Sequence, residues 1–277
     1  MSAPPRASLF VVSTPIGNLG DMSARAIETL RSVALILAED TRHSRHLLDH
    51  FDIPTPLEAY HEHNEAKATP RFLDRLVRGD SLALISDAGT PLLSDPGARL
   101  VRAALDAGIP VVPIPGPSAM LAALVASGID AARFTFFGFL PRRGRERSSV
   151  VSEIVALEHT AILYESPNRL AATLVELTER GAGAREGAVA RELTKQYEEV
   201  RRGTVEELAR YYEQSVVRGE VVIILAGRTL TPPDEDSMRA RARELREAGA
   251  SARDVARTLI VEYGATRNVA YKLAHES

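Results

Sequence analysis

Six residues, Ser86-Asp87-Ala88-Gly89-Thr90-Pro91, put one carboxylate, two hydroxyls and a glycine into a short polar run. They follow Leu-Ala-Leu-Ile at 82–85, an apolar run with the length and texture of a buried parallel strand. Asp87 therefore stands at the carboxyl end of a strand, where open α/β sheets bind small molecules. Gly89 lets the backbone approach a ligand closely or take a positive φ. Ser94-Asp95-Pro96-Gly97 reads as a helix start, with Asp95 as N-cap and Pro96 at the first helical position. Taken alone, the stretch fits either a ligand loop or an ordinary βα connection.

Other strand ends carry similar groups. Residues 9–13 (Leu-Phe-Val-Val-Ser) form a first strand, followed by Thr14-Pro15-Ile16-Gly17-Asn18-Leu19-Gly20-Asp21. The glycine spacing matches neither Gly-x-Gly-x-x-Gly nor a Gly-Lys-Ser/Thr loop, which argues against a dinucleotide or nucleoside triphosphate. Residues 33–38 form a second strand that ends in Glu39-Asp40-Thr41-Arg42, a pair of carboxylates that also suits a helix cap. Tyr60-His61-Glu62-His63-Asn64-Glu65 invites a metal reading, but its histidines are two apart, not four, so a polar loop is expected. The strand at 110–114 leads into Pro115-Gly116-Pro117-Ser118-Ala119, with Pro117 predicted to open a helix that presents the Ser118 and Ala119 amides. Beyond an expected boundary at 128–134, an aromatic strand at 134–139 leads into Arg142, Arg143, Arg145 and Arg147, read as a mobile arm for phosphates or as a solvated loop plus a helix start. Strands at 160–164 and 187–190 end in Tyr164-Glu165-Ser166-Pro167-Asn168-Arg169 and Arg191-Glu192-Leu193-Thr194-Lys195; a last strand covers 220–225.

The 277 residues suffice for one large or two ordinary domains, and 45% hydrophobic with 26% charged residues predicts a packed core. The absence of cysteine removes disulfides, thiol nucleophiles and thiolate metal sites. No apolar stretch is long enough to span a bilayer and nothing resembles a signal peptide, so a cytoplasmic protein with a frayed tail at 1–7 is expected. The net charge of −3 points to no nucleic-acid partner by itself; a basic surface must be local. Residues 228–236 read as a Pro- and acid-rich linker, and 237–277 as helices in a helix-turn-helix-like cadence, with Arg253, Arg257, Arg267 and Lys272 as candidate contacts.

Together and in order, the six strand-end motifs resemble those of bacterial ribosomal small-subunit RNA methyltransferases, a branch of the tetrapyrrole-methylase-like superfamily that methylates a decoding-centre cytidine (position 1402 of 16S rRNA) on its ribose 2′-oxygen. The resemblance covers residues 9–227. Ser-Asp-Ala-Gly-Thr-Pro replaces the Gly-Asp-Pro-type loop frequent in tetrapyrrole methylases, which favours the RNA branch. The resemblance implies an α/β fold of two α/β domains, 1–130 and 131–228, with a small helical C-terminal segment. It implies a homodimer acting on 16S rRNA, within the small subunit, with no metal and no membrane. It places S-adenosylmethionine between the domains against Pro15, Asp87, Ala88, Gly89, Thr90, Ser118, Ala119, Tyr164 and Ala190. A ribose hydroxyl is a weak nucleophile and gains from a nearby base. Glu39, Asp40 and Lys195 are the catalytic candidates, Asp40 as base and Lys195 as an orienting cation, with ion pairing to Arg42 or Arg191 as the structural alternative. A tetrapyrrole carbon methyltransferase and a non-catalytic RNA-binding assembly factor are the competing readings.

Overall fold

The computed structural model describes residues 7–228 and 235–276. Most of the expected N-terminal tail and the centre of the expected linker lie outside them. Residues through Ala226 form one compact unit and the chain beyond it a second.

The first half of the larger unit alternates strand and helix: β1 (Leu9–Val12), α1 (Ala24–Ser32), β2 (Leu35–Ala38), α2 (Thr41–His50), β3 (Leu57–Ala59), α3 (Glu65–Val77), β4 (Leu82–Ile85), α4 (Ala98–Asp106), β5 (Val111–Ile114) and α5 (Ala119–Ser127). The strands form an all-parallel sheet in the order β3-β2-β4-β1-β5. Every residue of β2 and β4 is buried, because helices cover both faces of a parallel sheet. One face packs Ala26, Leu30 and Leu48, and the other Phe72, Leu76 and Leu100. Leu82–Ile85 is thus the central strand, and its loop opens at the middle of the carboxyl edge.

The second half contains β6 (Phe134–Phe139), α6 (Gly144–Ala156), β7 (Thr160–Glu165), α7 (Leu170–Leu177), β8 (Glu186–Arg191), β9 (Glu199–Thr204), α8 (Val205–Glu213) and β10 (Val221–Leu225). Its sheet runs β6-β7-β10-β8-β9, parallel only between β6 and β7. The wholly apolar Val-Val-Ile-Ile-Leu of β10 is central and buried. α5 packs on this second sheet, with Met120, Ala123 and Leu124 against Ile162, Ala190 and Val222. Arg202 of β9 donates to the carbonyls of Ala126 and Ser127, so an edge-strand cation caps the C-terminus of α5.

Three local readings need correction. α4 begins at Ala98 with Gly97 as N-cap (φ 130°); Asp95 and Pro96 stay in the preceding loop. Gly97 passes so close to the Leu84 side chain that a Cβ would collide with it, so the N-cap position requires glycine. Pro117 is outside α5, because the Ser118 hydroxyl accepts from Leu121 N and caps the helix itself. The expected arginine arm is mostly helix: α6 starts at Gly144, so Arg145 and Arg147 lie in its first turns.

The smaller unit comprises α9 (Glu235–Glu247), α10 (Ala252–Tyr263) and α11 (Arg267–Glu276), around Met238, Ala242, Val255, Leu259, Ala270 and Leu273.

Candidate active site

The carboxyl ends of the first sheet bring their loops together. Thr14 and Gly89 exchange backbone hydrogen bonds of 2.9 and 3.0 Å, joining the loops after β1 and β4. The Thr14 hydroxyl donates to Ser86 O at 3.1 Å. Thr90 adds the loop after β5, its hydroxyl reaching Ser13 Oγ at 3.1 Å and Pro117 O at 3.2 Å. Gly89 has φ 79°, and a Cβ there would sit 3.3 Å from Ile16, so this position favours glycine on both counts.

These loops and the second sheet enclose a cleft of about 470 Å³. Its walls include Ile16, Leu93, Phe139, Tyr164, Val221 and Val222. The Tyr164 ring packs edge-on to Phe136 at 4.9 Å, and burial raises its hydroxyl above the usual tyrosine range. Asp87, Ala88, Gly89, Thr90, Ser118, Ala119 and Tyr164 all line the cleft. Pro15 is not among the lining residues, and Ala190 is fully buried in the core beneath it.

The charged lining consists of five acids, Glu39, Asp87, Asp95, Glu165 and Glu220; among the described residues, no Lys or Arg lines the cleft. Two of the acids are compensated. Glu165 is buried and accepts from Ser166 N (2.7 Å) and Thr173 Oγ1 (2.8 Å), with Arg169 Nε at 3.3 Å. Glu220 meets Lys195 Nζ at 3.3 Å. Among the described residues, Glu39, Asp87 and Asp95 form no ion pair. Among the described residues, Asp87 accepts the Asp40 amide alone, at 3.0 Å. Burial raises Glu39 above the ordinary carboxyl range, and the neighbouring Asp87 raises it further. Burial, then repulsion from Glu39, pushes Asp95 up to about 6, with Ser86 opposing by hydrogen bonding. The loop that carries Asp95 holds Leu92 and Ser94 at φ 75° and 72°, a left-handed backbone that non-glycine residues rarely adopt and that clusters at functional sites.

The other two catalytic candidates, Asp40 and Lys195, are engaged in ion pairs. The Asp40 carboxylate caps α2, accepting from Arg42 N at 2.8 Å and pairing with the Arg42 guanidinium at 3.2 Å; these contacts hold it below the ordinary range. A carboxylate so engaged is a poor base, and Asp40 does not line the cleft. Lys195 pairs with Glu192 at 2.9 Å as well as with Glu220, and its stem lies over Gly17, where a Cβ would clash with it. Burial alone would lower this ammonium, but the two carboxylates outweigh burial and raise it. Arg147 turns inward to Glu176 (2.7 Å), Thr173 (3.1 Å) and Pro141 O (3.2 Å), and its side chain is only 13% exposed. Arg142, Arg143 and Arg145 are exposed and form no ion pair among the described residues. No group of three or more His, Asp or Glu among the described residues is placed to hold a metal ion.

Asp95 was hidden in the sequence by a convincing capping pattern, Ser-Asp-Pro-Gly. Glu165 and Glu220 lay in motifs already visible, but nothing in the sequence distinguished the compensated acid from the free one. Leu93, Phe139 and Val221 carried only core signals.

Two helix-flanked sheets, an acid-lined cleft and a close-approach glycine make a site suited to a small cationic ligand. Residues 8–209 match the family described as Tetrapyrrole (Corrin/Porphyrin) Methylases. The chain aligns with cobalt precorrin-4 methyltransferase at TM-score 0.61 and 16% identity, covering 82% of this chain and 98% of that one. It aligns with Thermus thermophilus uroporphyrin-III C-methyltransferase complexed with S-adenosyl homocysteine at TM-score 0.55 and 20% identity, covering 79% and 97%. More similar in sequence are proteins named Ribosomal RNA small subunit methyltransferase I. That of Synechocystis is 44% identical over 273 residues, 97% of each chain. That of Xylella fastidiosa is 50% identical over 229 residues, 82% of this chain and 83% of its own. The chain belongs to this family of methyltransferases, within the tetrapyrrole methylases.

The cleft fits the cofactor. A sulfonium and an ammonium group suit a cavity lined by uncompensated carboxylates, and the volume lies within the usual range for small-molecule sites.

Proposed function

We propose that the protein methylates the ribose 2′-oxygen of cytidine 1402 in the decoding centre of 16S rRNA, on the small ribosomal subunit. The names of the curated relatives support small-subunit rRNA as substrate; the cytidine and its 2′-oxygen are what the family resemblance of the strand-end motifs implies. The observation that carries the chemistry is the set of carboxylates left without counter-cations in the cleft.

When bound, S-adenosylmethionine supplies an electrophilic methyl group on a cationic sulfur. Asp87 and Glu39 offset that charge, Gly89 allows close approach, and Tyr164 and Leu93 wall the site against water. Asp95 accepts the proton at the ribose 2′-hydroxyl. It is ionised at neutral pH, yet more basic than an ordinary aspartate. Glu39 raises that basicity and is the alternative acceptor. Arg142, Arg143 and Arg145 meet RNA phosphates, while Arg147 holds the turn that presents them. We further read the protein as a cytoplasmic homodimer, the dimer following from the family resemblance; no helix among the described residues is long and apolar enough to cross a membrane.

The test is incubation of purified protein with methyl-labelled S-adenosylmethionine and unmethylated small subunits, then nucleoside mass spectrometry. Label in 2′-O-methylcytidine from position 1402 supports the reading. Label on a base, at another nucleotide or in no RNA contradicts it.

A further inference from the structure

The smaller unit carries a surface that the cleft does not explain. α10 ends at Gly264, whose φ of 64° gives the left-handed C-cap, and only Ala265 and Thr266 separate it from α11. α11 buries Ala270, Leu273 and Ala274 on one side. At 100° per residue, Arg267, Asn268, Tyr271, Lys272 and His275 fall on the opposite side, and all five are exposed. This face combines two cations, an amide, an imidazole and an aromatic ring. Tyr271 makes no ring contact among the described residues.

The ion pairs of this unit sharpen the charge of that face. Arg241 takes Glu244 at 2.6 Å and Glu262 at 3.1 Å, Arg257 takes Asp254 at 3.0 Å, and Arg239 takes Glu235 at 3.0 Å. Glu276, at the far end of α11, faces Arg239 at 3.7 Å and Lys272 at 3.9 Å. Arg253 and Arg267, both exposed, form no ion pair among the described residues. Lys272 is held by Glu235 at 3.6 Å as well as by Glu276, so the cations of α10 and α11 left without an acid among the described residues are Arg253 and Arg267.

We propose that the exposed face of α11 is an RNA-docking surface, a second contact with the substrate of the methylation reading on which it rests. The occupant that suits it is an unpaired or loop segment of small-subunit RNA. The major groove of A-form RNA is too deep and narrow for side chains to read, whereas an unpaired base can stack on Tyr271 and present its edge to Asn268 and His275. Arg253 and Arg267 supply phosphate contacts, and the free cations match a polyanion.

The test uses the full chain, with binding to 16S RNA measured over a range of salt. The double variant Arg267→Ala/Tyr271→Ala should bind about ten-fold more weakly, and its log affinity should fall less steeply with log salt by about one unit per lost phosphate contact. Cofactor affinity and helical content should match wild type, and KM for small subunits should rise with kcat unchanged. Arg267→Glu guards against misfolding: an acid in the first turn of a helix favours the helix, so weaker RNA binding by this variant reports docking alone. Tyr271→Phe, which keeps the ring, should restore most of the affinity lost in Tyr271→Ala. Wild-type affinity and salt slope in both the double variant and Arg267→Glu would overturn the proposal. If wild type binds RNA through these residues but transfers no methyl group, docking stands and the methylation reading falls. If methylation is normal and the variants bind as wild type does, docking alone falls. If wild type binds no RNA, both fall.

Discussion

The loops that follow β4 and β8 invite comparison because both are charged and both hold non-glycine residues at positive φ. Leu92 and Ser94 do so in the first, Glu192 (49°) and Thr194 (65°) in the second. The loop after β8 uses its charges up. Glu192 accepts from Lys195 and from Glu220 N, Glu198 accepts from Thr194 N, and Arg191 pairs with Glu199 at the strand ends. The loop after β4 leaves Asp87 and Asp95 without a cation among the described residues, close to Glu39 at the end of the adjacent strand. Backbone strain is thus common to a loop whose charges are paired and to the loop proposed as catalytic, and unpaired charge separates them. Burying like charges together costs stability, and such an arrangement is kept where a cationic ligand and a basic carboxylate are needed.

The largest expected effect lies on the unpaired side. Asp95→Asn should lower kcat for methyl transfer by about 10²-fold or more, the range for loss of a general base, while Lys195→Met changes kcat by less than about three-fold. Similar losses in both would erase the distinction between the loops. Next comes the arginine pair of regions. Arg147→Ala should destabilise the protein by about 2–3 kcal/mol in urea unfolding, because it strips a mostly buried carboxylate, Glu176, of a partner. The triple change of Arg142, Arg143 and Arg145 to Ala should leave stability within about 0.5 kcal/mol and raise KM for subunits. A triple variant that unfolds early would show that those side chains have structural work. Asp87→Ala should weaken cofactor binding about ten-fold by calorimetry with the fold intact; unchanged binding would remove Asp87 from the cofactor site.

The smallest effect is on stability and has a definite sign. Asp95 has a folded pKa of about 6, above its unfolded value. Below the unfolded value both states are protonated and the residue is neutral to stability. As pH rises toward 6 the unfolded chain loses its proton first, so the folded state is penalised, fully so above about 6. Asp95→Asn should then be more stable than wild type by about 1 kcal/mol at pH 7.5, allowing for solvent screening, and by much less near pH 4. Lower stability of the variant at pH 7.5 would mean that Asp95 is held by contacts that favour its charge.

Much of the larger unit was legible because buried strands announce themselves. Leu-Ala-Leu-Ile and Val-Val-Ile-Ile-Leu are central strands of their sheets, and each ends in small or polar residues. Edge strands were harder to see. β3 is three residues with a glutamate in the middle, and β9, Glu-Val-Arg-Arg-Gly-Thr, shows no apolar alternation because Arg201 stacks on Tyr211 and Arg202 caps α5. At the site, residue type and strand-end position identified Asp87, Gly89 and Ser118 as cleft residues. Sequence could not say which charges find partners, and so Asp40, Lys195 and Arg147 looked as available as Asp87 and Arg143. Asp95 itself was masked because a capping pattern is local, whereas the close approach that calls for glycine at the N-cap involves Leu84, thirteen positions before Gly97.

The central claim is that a half-buried carboxylate after β4, without an ion pair among the described residues, takes the proton from the acceptor. The most direct test is the pH dependence of kcat/KM for methyl transfer, with both substrates subsaturating so that free-enzyme groups are reported. The account predicts a rise of one power of ten per pH unit at low pH, levelling near pH 6 for wild type and absent in the residual activity of Asp95→Asn. A flat wild-type profile between pH 5 and 8, or an acid limb that survives unchanged in Asp95→Asn, would contradict it.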